Sequence, residues 1–553
     1  MKTIESCIHD LSAKHNVVGI IDCDQYGDFW IDLWIDLKKL HQTEYSNNDR
    51  IIIKSTYDYY SNTEHGAIIQ SLQNVINDLD IPNFFVCFIT TNKDIENEYK
   101  FVLEHYSHDD NPIWVYPCQG KFDKKTSDVK SFTGQQNFNK EKINFLLNQS
   151  NRQKEMLFKN KNFCIIPWIS MMINTDSRVK PCCYYRESVG NLKTQSTVEI
   201  WNNKNYREIR KKMMNNQEVP GCASCHAYES YSKESLRQSS NREFLDQVSK
   251  VDETQPDGFL EKFELIYLDS RFSNLCNLSC RMCNETSSSS WHKSGVAMGL
   301  VNKESPVFLS ASNYSGELFE QIKDHIGNIE KIYFAGGEPL IIDEFYQILE
   351  YLDKNKKHDV KLVYNTNLTK KNLKDKNIFD YWKNFKNISI GASLDGECAQ
   401  GEYLRAGTVW SEVVDFRKEL MRKRPDIDFS VNATLSMLNC LHVVDFHKNW
   451  VEQGLIKPEE FNLNLLFFPE YLKVDNSPKL LKEKIRKKYQ EHLDWLRPID
   501  KFGRATASFE SVISCIDNNN VFEKDKFWKN IKLFDNYYKT DLLETFPELI
   551  DLK

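Results

Sequence analysis

No stretch of this sequence has the unbroken apolar length that a membrane-spanning helix demands. The segment from Met1 to Asn16 carries Glu5 and Asp10 among polar neighbours and has no apolar core, so no secretory signal is expected there. A basic excess is missing too: the formal net charge is −7. That leaves no electrostatic footprint for a nucleic-acid or anionic-membrane partner. Neither G-x-G-x-x-G nor G-x-x-x-x-G-K-[ST] occurs, so the glycine loops that cradle nucleotide phosphates are absent. Lys-rich runs such as Lys479–Tyr489 mix charges with apolar residues, the pattern of a solvated helix face. There is no internal repeat and no low-complexity tract. With 41% hydrophobic and 27% charged residues, these absences point to a globular, cytoplasmic protein. At 553 residues it is too long for one core, and about three domains are expected.

What the chain does have is clustered cysteine. It holds 15, an odd number, and eight of them fall between Cys164 and Cys283. In a reducing compartment such thiols are metal ligands, catalytic groups or buried hydrophobes rather than disulfide partners. The scattered Cys7, Cys23, Cys87 and Cys118 read as plain buried thiols. Cys398, Cys440 and Cys515 read as structural or incidental, although each has the chemistry to give a hydrogen atom to a radical.

The densest group lies in Asn274–Asn284, NLCNLSCRMCN, with Cys276, Cys280 and Cys283 spaced C-x3-C-x2-C. Thiolates are soft ligands that suit iron–sulfur clusters. Three on one short loop grip three corners of a cubane and leave the fourth iron open. An open position likewise separates a catalytic zinc from a structural one. A zinc site would want a fourth ligand at ordinary spacing, and the nearest candidate, His292, lies nine residues on.

A strand-like run, Phe263–Asp269, precedes this loop. Further strands are expected at Lys331–Ala335, Lys361–Asn365, Ile388–Ser393, Phe429–Leu435 and Phe461–Phe467, with helices at Ile342–Leu352, Lys371–Phe385, Val409–Met421 and His442–Gln453. Alternating elements imply a parallel sheet with helices outside. Six strands are too few to close an eight-stranded barrel, so the expectation is an open, partial barrel with ligands at the carboxyl ends of the strands. Polar residues gather at those ends: Gly336-Gly337-Glu338-Pro339, Asn365-Thr366-Asn367, Ser393-Leu394-Asp395-Gly396, Arg405 in a YLRAG segment, and Asn432. The paired glycines admit close approach of a ligand, and Glu338 can accept from an ammonium group. The others can read a ribose and a carboxylate, or merely cap and turn.

From about Phe163 to the end of the sixth strand near Phe467, the chain resembles the radical S-adenosylmethionine (radical SAM) superfamily, in particular members with a SPASM or twitch auxiliary-cluster domain. The resemblance implies an α/β fold built on a partial (β/α)6 barrel. In it, Cys276, Cys280 and Cys283 bind a catalytic 4Fe–4S cluster whose open iron is chelated by the methionine nitrogen and carboxylate of SAM. Glu338 and the Gly336–Gly337 backbone, with Pro339 behind them, would hold the amine. Ser393 and Asn432 would lie near the ribose, with Asn365 also among the cofactor contacts, and Arg405 near the carboxylate. Met282 stands where the superfamily often has an aromatic residue. The implied activity is reductive cleavage of SAM to a 5′-deoxyadenosyl radical and hydrogen abstraction from a peptide, protein or small molecule. An external donor of flavodoxin or ferredoxin type would supply the electron. Two other readings stay open: a non-catalytic iron–sulfur electron-transfer protein and a zinc-stabilised scaffold.

Upstream, FCIIPW at Phe163–Trp168, PCC at Pro181–Cys183 and GCASC at Gly221–Cys225 offer Cys164, Cys182, Cys183, Cys222 and Cys225. Their density alone is a metal signal, for zinc or for iron–sulfur. The resemblance makes this a SPASM- or twitch-like auxiliary 4Fe–4S site placed before the catalytic domain. Four of the five suffice, and Cys164, Cys183, Cys222 and Cys225 are the expected set, with Cys182 the spare. The remaining regions are assigned as follows. Residues 1–118 alternate strands (Val17–Asp22, Arg50–Lys54, Phe84–Ile89, Ile113–Tyr116) with helices such as Ala67–Leu79 and read as a Rossmann-like α/β domain, a candidate substrate-recognition unit. Asp22 and Asp24 read as turn formers at its first strand end. Residues 119–161 read as a linker and helix, 162–245 as the auxiliary-cluster domain, 260–475 as the partial barrel and 476–553 as an amphipathic helical region that packs on it.

Overall fold

In the computed structural model the described residues are 16–22, 49–54, 85–90, 113–117, 150–158, 160–230, 235–516 and 521–553. The chain divides into two compact units, Met1–Lys161 and Asn162–Lys553. In the first, β1 (Asn16–Asp22), β2 (Asp49–Lys54), β3 (Phe85–Thr90) and β4 (Ile113–Pro117) form a parallel four-stranded sheet in sequential order. The intervening segments, Ala67–Leu79 among them, lie outside the described residues, as do Asp24 and the four scattered cysteines Cys7, Cys23, Cys87 and Cys118, apart from the backbone of Cys87 in β3.

The second unit is organised on one nine-stranded sheet. Three strands come from the cysteine-rich segment: β5 (Ser170–Ile173), β6 (Arg178–Lys180) and β7 (Gly190–Asn191). Next come β8 (Tyr267–Ser270) and the short β9 (Ser279–Cys280), which lies outside the main sheet. β10 (Lys331–Phe334) and β11 (Lys361–Thr366) are followed by a small hairpin, β12 (Asn372–Leu373) with β13 (Lys376–Asn377). Then come β14 (Ile388–Ala392), β15 (Arg405–Ala406), β16 (Asp428–Leu435) and β17 (Phe461–Leu465). The sheet order is β17-β16-β14-β11-β10-β8-β5-β6-β7. The run from β17 to β5 is parallel throughout. The fold is therefore α/β with a mostly parallel sheet, and it is consistent with a partial barrel.

Two local expectations need correction. The first barrel strand starts at Tyr267, because Leu265 and Ile266 spend their amides on the carbonyls of His325 and Ile169 before the ladder begins. Lys371–Phe385 is not one helix. The Asn377 side chain accepts from the Phe379 amide and caps a short helix, Ile378–Trp382, leaving the upstream residues to form the hairpin.

The two faces of the sheet differ in chemistry. Ladder partners share a face and neighbours along a strand alternate. One face carries Ile332, Phe334, Leu362, Tyr364, Ile390, Val431 and Phe461, all buried. It lies beneath helices: Phe345 of helix Asp343–Lys354 meets Phe334 with ring centroids 4.8 Å apart, and Phe446 of His442–Glu452 meets Phe461 at 5.5 Å. The opposite face carries Asp269, Tyr333, Asn365, Asn432 and Asn462, linked across strands: Asn365 donates to Tyr333, Asn432 stands 3.5 Å from Asn365, and Asn462 donates to Asn432 at 3.0 Å. Parallel strands packed on both sides read as continuous apolar runs. Here the alternation marks a face kept for polar contacts. Gly391 lets the ladder pass over β14, since a Cβ there would lie 2.2 Å from the Asn432 side-chain nitrogen and 2.7 Å from the Asn365 oxygen.

A C-terminal helix packs against one edge of this frame. Ser508, on helix Arg504–Cys515, accepts the Leu463 amide of edge strand β17 at 2.7 Å, so that edge has a donor already occupied. Gly391→Ala is expected to destabilise the protein by about 1–3 kcal/mol. Urea unfolding should show a lower midpoint at unchanged slope, and an unchanged midpoint would contradict the close approach of the two asparagines.

Candidate functional site: a cysteine loop docked on a glycine–glutamate turn

The loop after β8 carries the three cysteines, each half-buried. Its shape is set by side chains that satisfy its backbone. Asn274, fully buried, donates to the carbonyls of Glu285 (2.8 Å) and Val307 (3.1 Å) and accepts the Leu309 amide (2.9 Å). Ser290 donates to the Cys276 carbonyl at 2.6 Å and the Trp291 indole to the Cys280 carbonyl at 3.2 Å. β9 pairs antiparallel with β15, setting Arg405 opposite Cys280. Arg281, 2% exposed, locks the loop from below. It stacks 3.6 Å over the Tyr403 ring, donates to the Tyr403 carbonyl, and pairs with Asp535 (2.8 Å) and Thr540 (2.7 Å) at the end of helix Lys524–Tyr538.

The Gly336–Pro339 turn after β10 sits directly on this loop. The Gly337 amide donates to the Ser273 carbonyl (3.0 Å) and the Glu338 amide to the Leu275 carbonyl (2.7 Å). Gly337 has no alternative, because a Cβ would lie 2.0 Å from the Leu275 oxygen. On its other side the turn is stitched to the end of β11. Glu338 Oε1 accepts from Thr366 Oγ1 (2.7 Å) and the Leu340 amide (3.2 Å), and Oε2 from the Asn367 amide (2.8 Å). Burial pushes the Glu338 carboxyl up to about 7 against those bonds. One Oε2 lone pair remains for a further donor. Asn367 in turn donates to Asn277 of the cysteine loop at 3.1 Å. Pro339 is buried and opens the following short turn.

Of the other positions singled out, Asn365 and Asn432 lie side by side in the polar ladder, and half-buried Ser393 follows β14 with its amide on the Thr366 carbonyl at 2.8 Å. Arg405 pairs with Asp395 at 2.7 Å and brings Nη1 to 3.8 Å from the Cys280 sulfur. Asn367 and Asp395 belong to the polar strand ends already singled out, whereas Asn277 and Arg281 carry no spacing signal that sets them apart in the sequence. Asp269, 1% exposed on the polar face, is a further such residue: its Oδ1 has no hydrogen bond, and Arg271 Nε stands 3.8 Å away.

The environment of the cysteines fits a bound metal cluster. Burial pushes the Cys276 thiol up to about 11 and raises Cys280 and Cys283 as well. Thiols so desolvated are poor anions on their own, and a coordinated iron–sulfur cluster would supply the missing positive charge. Among the described residues no three His, Cys, Asp or Glu side chains converge tightly enough for a single metal ion.

The upstream cysteines form a second group. Cys164 and Cys225 are buried, Cys182 and Cys222 half-buried and Cys183 exposed. Burial is the main cause that raises all five thiols. The next influences differ. Cys164 is affected by Cys222 and Cys225, and Cys182 by Cys183, Cys164 and Cys222. For Cys183 the next are Asp269 and Arg271. The surrounding frame is rigid: Arg237 and Asn241 both donate to the Phe163 carbonyl, at 2.9 and 3.1 Å, and Asn241 accepts the Ile165 amide at 2.8 Å.

Residues 270–437 match the sequence model of the radical SAM superfamily, and residues 164–226 match SPASM, an iron–sulfur cluster-binding domain. The chain carries a radical SAM domain behind a SPASM domain. A radical SAM domain takes SAM and a 4Fe–4S cluster, and a SPASM domain takes auxiliary iron–sulfur clusters. Among solved structures, native anSMEcpe with bound AdoMet and Cp18Cys peptide is similar to the chain at 18% identity over 40% of this chain and 56% of that one, with a TM-score of 0.26. Native anSMEcpe with bound AdoMet gives 18% identity over 41% and 57%, with a TM-score of 0.27. The match thus spans little more than half of either relative. No curated protein matches the sequence. Among the described residues, no helix is long and apolar enough to cross a membrane.

Asp535→Ala is expected to leave the buried Arg281 cation short of its anion and to lower stability by about 3–5 kcal/mol. Anaerobic denaturant unfolding reads the change, and a loss below about 1 kcal/mol would mean that the clamp is not what fixes the loop.

Proposed function

We propose that the protein is a radical SAM enzyme that abstracts hydrogen from its substrate, with its catalytic cluster on Cys276, Cys280 and Cys283. The observation that carries this reading is the docking of the Gly336–Pro339 turn onto the cysteine loop through the Gly337 and Glu338 amides. An electron-transfer protein has no need of a glycine–glutamate turn held against its cysteine loop. When bound, the cluster and SAM together supply a 5′-deoxyadenosyl radical and leave methionine. The chain's own residues bind and orient. The Gly336–Gly337 backbone and the spare Glu338 lone pair receive the amine of SAM, and Arg405 lies on the carboxylate side. Asn365, Ser393 and Asn432 serve the ribose side. The polar face beyond them, through Tyr333 and Asp269, receives a peptide or small-molecule substrate rich in hydrogen-bonding groups. Reduction falls to an external donor of flavodoxin or ferredoxin type. In the same reading residues 1–118 recognise the substrate, 119–161 link, 162–245 hold the auxiliary cluster, 260–475 form the partial barrel and 476–553 shield it.

For the auxiliary site we assign Cys164, Cys182, Cys222 and Cys225 in place of the set with Cys183, because Cys182, like Cys222, is half-buried whereas Cys183 is exposed.

Anaerobically purified protein is expected to hold about eight irons per chain with matching sulfide, as two clusters require. On adding dithionite and SAM it should release 5′-deoxyadenosine. Zinc without sulfide would point to a scaffold, and clusters without deoxyadenosine to a relay. Cys280→Ala should abolish SAM cleavage while keeping about half of the iron. Undiminished cleavage in that variant is incompatible with the assignment. Cys222→Ala should lose product yet retain at least part of the SAM cleavage, and normal turnover with one cluster would make the upstream site dispensable. Cys182→Ser should lose the auxiliary iron and Cys183→Ser should keep it, and the opposite pattern would reverse the assignment.

A further inference from the structure

Arg405 is held in a way that a simple carboxylate reader does not require. It follows helix Cys398–Leu404, and its backbone is fixed opposite Cys280 by the β15–β9 pairing. Its Nε edge is tied to Asp395 at 2.7 Å, a carboxylate with no exposed surface. Asp395 is itself immobilised: its Oδ1 accepts the Thr434 amide at 2.7 Å, and its carbonyl accepts from Asn439 at 2.8 Å. With one edge anchored, the planar guanidinium has little choice of orientation, and Nη1 lies 3.8 Å from the Cys280 sulfur. The other charges acting on Cys280 are negative or become so on iron binding: Cys283, Cys276 and Asp395. Arg405 is also the cation acting on Cys283, where the opposing charge is Glu285.

A cluster held by three thiolates becomes more negative by one charge when it accepts an electron. A fixed cation that donates an N–H to a ligating sulfur favours the reduced state, and hydrogen bonds to the sulfurs and nearby charge are the protein's means of setting such potentials. Asp395 opposes part of that charge, so the pair sets the potential between two limits.

We propose that Arg405, oriented by Asp395, is a positioning residue for the catalytic cluster that donates a hydrogen bond to the Cys280 sulfur and raises the cluster's reduction potential. The proposal rests on the cluster assignment made above. It goes beyond that assignment by giving Arg405 a role that exists before SAM binds.

The test uses the full-length holoenzyme without SAM. Its midpoint potential is read by dithionite titration with electron paramagnetic resonance, and the catalytic cluster is identified as the one whose signal later changes on adding SAM. Arg405→Gln should move the midpoint to a more negative value. Asp395→Asn, which releases the guanidinium from its counter-charge, should move it to a more positive one. Arg405→Lys keeps the charge but loses the directed Nη1 donor and should fall between wild type and Arg405→Gln. Iron content per chain accompanies each measurement. If Arg405→Gln fails to assemble the cluster, the Asp395→Asn shift decides alone. An unchanged SAM-free midpoint in Arg405→Gln together with weakened SAM binding would overturn the proposal and leave Arg405 a carboxylate ligand only. So would shifts of the same sign in Arg405→Gln and Asp395→Asn. Wild-type iron content in Cys280→Ala would instead overturn the cluster assignment itself, so the two failures are distinguishable.

Discussion

Two backbone hydrogen bonds, from Gly337 to Ser273 and from Glu338 to Leu275, hold the site together. They are made by amides, so side-chain identity enters only by permission: residue 337 must lack a Cβ, and residue 338 must be able to satisfy its own buried carboxyl. Glu338 does so on Thr366, Leu340 and Asn367, and Asn367 returns to Asn277 of the cysteine loop. The ends of β8, β10 and β11 are thus fastened in a closed circuit around the place where the thiols lie. Because Ser273, Glu338, Thr366 and Asn367 are buried, losing one leaves a partner unsatisfied, and the position of the loop is defined far better than its length suggests.

The same constraint explains the two-faced sheet. A parallel sheet ordinarily buries both sides. Here the helix-covered side is built from large apolar residues, while the other side repeats asparagine from strand to strand and includes a buried aspartate with an unpaired oxygen. Amide groups bonded to one another are half satisfied and retain donors and acceptors for something else. The arrangement is a poor core and a serviceable wall for a polar ligand. The antiparallel run β5–β6–β7 extends the same sheet on the β8 side, so the upstream cysteine-rich segment and the strand that precedes the Cys276–Cys283 loop share one frame.

Much of this was legible in the sequence, and the reason is local encoding. The C-x3-C-x2-C spacing, the Gly336–Pro339 turn and the six strand runs are short-range signals that need no partner to be recognised. What was not legible depends on contacts between distant residues. The joining of β5 to β8 is a pairing of Met172 with Asp269 across the whole intervening segment. That Cys182 is half-buried and Cys183 exposed depends on how the chain leaves β6, which two adjacent cysteines cannot reveal. The clamp of Arg281 on Asp535 joins two residues that look like ordinary surface charges when read in sequence, and although Arg405 and Asp395 each stand out at strand ends, their pairing with one another does not. The misjudged helix at Lys371–Phe385 failed for a local reason, because Asn377 caps a helix more strongly than the preceding lysines extend one.

On the proposed reading, one iron left free by the three thiols meets the amino-acid end of SAM beside the glycine–glutamate turn. Electron–nuclear double resonance on the reduced holoenzyme, with 15N in the methionine amine of SAM, tests this most directly. Through-bond coupling of that nitrogen to the cluster is the predicted result, and it should vanish in Cys280→Ala. An unperturbed cluster spectrum with no nitrogen coupling, in protein shown to bind SAM, would contradict the account.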